Sequence, residues 1–301
     1  MSMPKAKTKQ FYIDQINSLN RIPSLPAIAT ELMQVTHEDD LSVNQLLPII
    51  ERDPPLAMKV LKIANSAYYG MTRKVESLRH AIVMMGMQEL RDLSLGFSVI
   101  HSLAQENSKS SLNWQMLWEH SAAVGHISQL LLERLGLQTK SSPYALGLLH
   151  DIGKIVLYRI DPDEYKMVVE YSLEKNISSR SAEIELLGVD HMQIGAWVAE
   201  KWQLPQSIIE AIRFHHEPEL VSEPDILIST SLIQLADIVA NLQSISFGIN
   251  WVQSVPREEA GWKNLKKISA NMADLDFERF VMSIDDELGS IKEMVKMMGR
   301  G

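Results

Sequence analysis

Seven side chains in this sequence are of types that hold cations or move protons: His120, His150, Asp151, His191, His215, His216 and Asp237. The densest case is the stretch from Ala145 to Lys154, ALGLLHDIGK, where an apolar run ends in an adjacent His and Asp and resumes at Ile155. Burying a carboxylate without a partner costs several kcal/mol, and the usual answers are an ion pair or a metal. The remaining five residues stand in similar apolar, helix-forming surroundings. Imidazole nitrogen and carboxylate oxygen together suit zinc, iron, manganese, nickel or cobalt. The chain has no cysteine, so thiolate chemistry, a disulfide frame and a Cys-ligated zinc are excluded.

Each residue also has a plainer reading. His120 could be a hydrogen-bonded core histidine, and Asp237 could pair with a lysine or arginine. The His215-His216 pair could cap a helix C-terminus, where imidazolium is favoured. Lys154 could be a solvated side chain. His37, His80, His101 and His126 read as ordinary solvated or core histidines. The case for a common site is that so many buried polar groups seldom each need a separate explanation.

The elements that must position these residues read as helices throughout. Met116, His120, Val124, Ile127 and Leu131 share one face of a helix over 113–135, with His126 off that stripe. Pro143 opens the helix leading to His150-Asp151. Asp190 is a candidate N-cap for a helix starting at His191. On that helix Gly195 would admit close approach of a neighbour. Pro205 starts a helix that ends at Phe214, His215 and His216. Leu227 to Leu242 is a strongly apolar helix with one charge, Asp237, on the face of Ile233, Ala236 and Ala240.

Upstream, short helices are expected over 11–19, 27–35, 43–51, 56–65, 77–85 and 88–102. Asp53 is placed to cap one of them, with Pro54 at its first position. Asn65-Ser66 forms a helix end. A polar, Ser-rich linker is expected over 104–113. Helices over 262–272 and 277–298 close the chain, the last amphipathic. The expected division is 1–20 as an N-terminal segment, 21–105 as a helical lobe, 106–245 as the lobe with the His/Asp set, and 246–301 as C-terminal helices.

Composition agrees with helices. Of 301 residues, 46% are hydrophobic but only 6% aromatic, while there are 16 methionines, which favours aliphatic and thioether helix packing over sheets. A net charge of −9 argues against a nucleic-acid polymer or an anionic membrane as partner. The sequence shows no signal-peptide core and no bilayer-spanning apolar run, so the cytoplasm is the expected location.

A resemblance emerges from the order of several motifs: LPAIA, then RDPPLAMKVLKIANSAYYG, then SLRHAIVMMGMQELRDL. The residues that carry it are Pro23, Leu25, Pro26, Asp53, Pro54, Leu56, Leu61, Asn65, Ser66, Ala81, Ile82, Gly86, Leu90 and Arg91. Over about residues 21 to 240 the chain resembles the HDOD family of bacterial signalling proteins, relatives of the HD phosphohydrolases. The resemblance implies an all-α, HD-like fold with an added N-terminal helical lobe. It also implies that His120, His150, Asp151 and Asp237 bind a divalent cation. Asp151 would bridge to a second cation held by His191 and by His215 or His216. Iron, manganese, zinc, nickel, cobalt and magnesium are not distinguished.

The chemistry implied is metal-assisted hydrolysis of a phosphorylated small molecule or nucleotide. Asp151 would be central to it, and Lys154 would hold a phosphate as a point charge. Two departures narrow the substrate. HD-GYP relatives follow the His pair with Gly-Tyr-Pro, whereas here His216 precedes Glu217-Pro218. Met116 stands where trinuclear members carry Glu, which argues against a third metal. The alternative reading is a non-catalytic module that senses a ligand or docks a signalling protein.

Overall fold

In a computed structural model of the chain, the described residues are 9–18, 24–35, 42–65, 74–104, 114–247, 255–272 and 274–284. Helices dominate and no strand occurs among them. The linker expected over 104–113 and the terminal helix beyond 284 fall largely or wholly outside the described residues, though 277–284 is helical.

The first helices are α1 (Lys9–Asn17), α2 (Ala27–Gln34), α3 (Val43–Glu51), α4 (Pro54–Ala64), α5 (Leu78–Met85) and α6 (Met87–Ala104). Their ends follow local chemistry. The Asp53 side chain accepts from Leu56 N at 3.0 Å, with Pro54 and Pro55 supplying the first turn of α4. Ser77 caps α5 through His80 N, and Gly86, at φ +88°, separates α5 from α6. Asn65 closes the end of α4 by bonding both the N–H and the C=O of Val75. Helix α1 leaves this group and packs on a later helix, α12 (His191–Lys201), where Lys201 Nζ donates to Ile16 O.

The central helices are α7 (Trp114–Arg134), α8 (Pro143–Leu149), α9 (Ile152–Ile160), α10 (Pro162–Lys175), α11 (Ser179–Leu187), α12 (His191–Lys201), α13 (Gln206–Phe214) and α14 (Pro224–Leu242). Helix α15 (Ala260–Ile268) then packs along α14. Helix α14 starts three residues before the expected Leu227, because Glu223 caps it through Ile226 N and Pro224 fits its first position. It is long and apolar enough to cross a bilayer, but most of it is buried, so it is the core helix of this fold. Helix α7 is buried almost all round, which puts His126 inside as well as His120.

Two glycine contacts decide how closely the site-bearing helices approach. A Cβ on Gly147 of α8 would lie 2.7 Å from Gly125 Cα of α7. A Cβ on Gly153 of α9 would lie 1.8 Å from His191 O of α12, and one on Gly195 would lie 3.1 Å from Gly153 N. Gly195 thus meets a second glycine, and backbone touches backbone at both crossings.

Candidate metal centre

Each of the seven residues sits at a helix end or on a buried helix face. His120 lies in the middle of α7 and Asp237 in the middle of α14, on core-facing positions. His150 is the last residue of the α8 turn, and Asp151 begins α9. His191 is the first residue of α12, after the cap Asp190, whose carboxylate accepts from Gln193 N at 2.9 Å. His215 and His216 follow α13. All are buried except His216, which is half-buried.

The structure brings all seven together around Asp151. Asp151 Oδ2 lies 3.4 Å from His150 Nε2 and 3.7 Å from His120 Nε2. Its Oδ1 lies 3.3 Å from His191 Nε2 and 3.8 Å from His215 Nε2. Asp237 Oδ1 is 3.1 Å from His120 Nε2. Two groups could each hold a cation, His120 with His150 and Asp151, and His191 with His215 and His216. The carboxylate of Asp151 faces both.

The other ring nitrogens fix the chemistry of this cluster. Nδ1 of His120 faces Ile245 O at 2.8 Å, that of His150 faces Gly147 O at 2.6 Å, and that of His215 faces Ile212 O at 2.8 Å. Nδ1 of His191 faces the Glu183 carboxylate at 2.6 Å. Carbonyls and carboxylates only accept hydrogen bonds, so each Nδ1 must carry the proton. A neutral ring then presents Nε2 as a lone pair. Four such lone pairs converge on acidic oxygens and on one another, with His191 Nε2 and His215 Nε2 only 3.2 Å apart. Asp151 Oδ1 is buried and accepts no hydrogen bond. Protonating all four rings would crowd that much positive charge into a buried site. A cation resolves the conflict, so these residues fit one.

The electrostatics point the same way. Burial pushes the imidazoles of His215 and His216 well below their ordinary range, and the neighbouring rings push them further. Burial also lowers His150. Burial would lower His191 too, but the Glu183 carboxylate overrides it and the ring is raised. Asp151 is driven up by burial, yet Lys154 and the surrounding rings hold its carboxyl well below the carboxylate range. Asp237 likewise ends low, because His120 outweighs burial.

Lys154 is neither solvated nor directed away. It is buried in the first turn of α9 with Nζ 2.5 Å from Asp151 Oδ2. Asp237 Oδ1 accepts from Asn241 Nδ2 at 2.8 Å while it faces the His120 Nε2 lone pair.

Several supporting residues were not apparent from the sequence. Glu183 on α11 is fully buried and also accepts from His191 N at 2.8 Å and from Tyr165 OH at 3.2 Å. Arg180, one turn earlier, binds Asp190 at 3.0 Å and Glu217 at 2.8 Å, joining the segments that carry His191 and His216. Gln234 donates to His216 O at 2.9 Å and accepts from Gly261 N, which ties α15 to the site. The spacing of Glu183 and Asn241 from Leu187 and Asp237, four residues in each case, places them on buried helix faces and was the available signal.

The HDOD domain model matches residues 22–218. An uncharacterized protein of Treponema pallidum (strain Nichols) is 29% identical over 216 residues, 70% of this chain and 41% of that protein. Ribonuclease Y of Aquifex aeolicus is 35% identical over 107 residues, 36% of this chain and 14% of that protein. The chain thus spans less than half the length of either relative. Among solved structures, an HDOD domain protein of unknown function from Geobacter sulfurreducens superposes with a TM-score of 0.78 at 25% identity, covering 96% of this chain and 97% of that one.

Proposed function

This chain belongs to the HDOD family, and from that premise we propose that it is a divalent-metal-dependent phosphohydrolase acting on a phosphoester of a small molecule or nucleotide. One observation carries the proposal: four imidazoles, each with its proton held at Nδ1 by an acceptor, aim Nε2 at a buried carboxylate cluster. His120, His150, Asp151 and Asp237 would hold one cation, and Asp151 with His191, His215 and His216 a second. When bound, a divalent cation lowers the pKa of coordinated water towards ~7 and polarises a phosphoryl oxygen.

The residues of the chain do the rest. Asp151 links the two groups and is held by Lys154, whose ammonium adds fixed positive charge for an incoming phosphate. Glu183 fixes the tautomer and direction of His191, as an outer-shell carboxylate does for a metal-binding imidazole. Asn241 orients Asp237. His216 is the one member of the seven that is only half-buried. A place in cytoplasmic signalling belongs to the same proposal.

The likeness to ribonuclease Y adds an RNA phosphodiester to the substrates worth testing. The net charge of −9 argues against a polymer, because phosphate contacts supply most of the affinity for nucleic acid. A second reading, a module that binds a ligand or signalling partner without turnover, is favoured by Lys154, whose Nζ is committed to Asp151.

Elemental analysis of untagged protein, beside a His150→Ala/Asp151→Ala control, tests the proposal. One or two equivalents of metal, lost in the control, with metal-dependent turnover in a phosphoester screen, is the expected result. No metal and no uptake on adding it back, with a folded control, would overturn it. Full metal with no turnover would favour the binding module.

A further inference from the structure

Helix α6 packs on α8 and α9, the two helices that flank the His150-Asp151 turn, and is tied to them towards both of its ends. It packs on α2, α3, α4 and α5 on one side and on α8 and α9 on the other. Near its start, Asp92 Oδ2 accepts from Ser142 N at 3.0 Å. Ser142 is the cap of α8, and its hydroxyl accepts from Ala145 N. At the far end, Arg159 on α9 donates to Leu103 O at 3.2 Å and reaches Ser102 O at 3.5 Å. Midway, a Cβ on Gly96 would touch Leu148 Cδ2 at 3.4 Å, so the helix rests on α8 along its length.

Both fastenings are favourable in charge. The Asp92 carboxylate stands at the positive end of α8, and the Arg159 guanidinium stands on the last carbonyls of α6, at its negative end. Arg91 holds Asp92 in place through two bonds to its Oδ1, at 2.9 and 2.6 Å. Ser142 lies eight residues before His150, and Arg159 eight residues after Asp151. The two ties therefore straddle the candidate metal centre symmetrically. Neither Asp92 nor Arg159 touches it.

We propose that Asp92 and Arg159 are positioning residues through which helix α6, and with it the N-terminal helices, sets the His150-Asp151 turn and so tunes cation binding there. The inference rests on the metal reading given above. Any event that shifts α6 relative to α2–α5 would then reach Asp151 through these two ties, giving the N-terminal helices control over the site without contact with it.

The test uses the full chain, stripped of metal, as wild type, Asp92→Ala, Arg159→Ala and Arg159→Lys. Two quantities are read, the affinity for Mn2+ and the hydrogen exchange of residues 143–160 against the rest of the chain. The expected result is a roughly tenfold loss of Mn2+ affinity in both alanine variants, at the lower end for an outer-shell partner. Faster exchange confined to 143–160 should accompany it, and lysine at 159 should recover most of both. Unchanged exchange in that segment overturns the proposal, as does a uniform rise across the chain, which would mark a purely structural role. Should Asp92→Ala fail to fold, Arg159→Ala decides alone. Should wild type take up no Mn2+, the metal reading fails, and the exchange pattern still decides whether α6 positions the turn.

Discussion

Glu183 Oε2 accepts both the main-chain N–H of His191, at 2.8 Å, and its ring Nδ1–H, at 2.6 Å. One carboxylate oxygen thus fixes where α12 begins and which nitrogen of its first side chain faces the site.

Replacing Glu183 should therefore act on one cation position and spare the other. Glu183→Gln leaves an amide that can also present donors to His191, so the tautomer is no longer enforced. Affinity at the group of His191, His215 and His216 should fall about 10–100-fold. The group of His120, His150, Asp151 and Asp237 should keep its metal. Titration with Mn2+ followed by elemental analysis reads this as one equivalent retained and one lost.

Gly153→Ala should be among the most damaging small substitutions in the chain. The new methyl would stand 1.8 Å from His191 O, which is backbone and cannot swing away. Overpacking of this kind costs about 1–3 kcal/mol and at times more. Here it would also separate α9 from α12 and pull Asp151 from His191. Thermal denaturation should show a clear drop in Tm, accompanied by metal loss. An unchanged Tm would mean that the α9–α12 crossing is looser than the geometry gives.

Asp151 and Lys154 form a buried pair, and removing one partner leaves a lone charge. Asp151→Asn should cost about 3–5 kcal/mol, much of it from the stranded ammonium. Asp151→Asn/Lys154→Met should recover part of that stability but no metal binding. A double-mutant cycle in urea, read beside metal content, separates the two roles. Additive losses would show that the pair is not coupled.

The metal-free protein should be less stable at about pH 5 than at about pH 7. His150, His215 and His216 are lowered in the fold, by burial first, so below about pH 6.5 the unfolded chain binds protons that the fold refuses. Their contribution to stability rises with pH and levels off above that value. His191 acts in the opposite sense: burial would lower it, but Glu183 raises it, so its contribution is full below about pH 6.5 and is lost as pH rises through its folded value. Three groups oppose one. The carboxyls of Asp151 and Asp237 are lowered and weigh in only below about pH 4. Thermal melts in chelator across this range should show Tm rising with pH, and His215→Asn should flatten the slope. A maximum at pH 5 would contradict this balance.

The sequence by itself determined the helical class and most helix ends. Caps and prolines act within a few residues, so Asp53, Ser77, Pro143 and Asp190 could be read directly. Apolar stripes likewise marked His120 and Asp237 as core-facing. It also singled out the seven residues of the candidate site, because an acid or imidazole in an apolar helix is anomalous wherever the chain runs. Tertiary structure decided what those residues do to one another. No local pattern pairs Gly153 with Gly195, or brings Glu183 against His191 and Arg180 against Asp190 and Glu217. The three-residue spacing of Asp151 and Lys154 lets the two meet, but only the packing of the surrounding helices shuts out water and buries the pair. Those outcomes depend on the distances at which helices far apart in the chain cross. A backbone approach permitted only by glycine fixes those distances, and burial then turns each polar contact into an obligation.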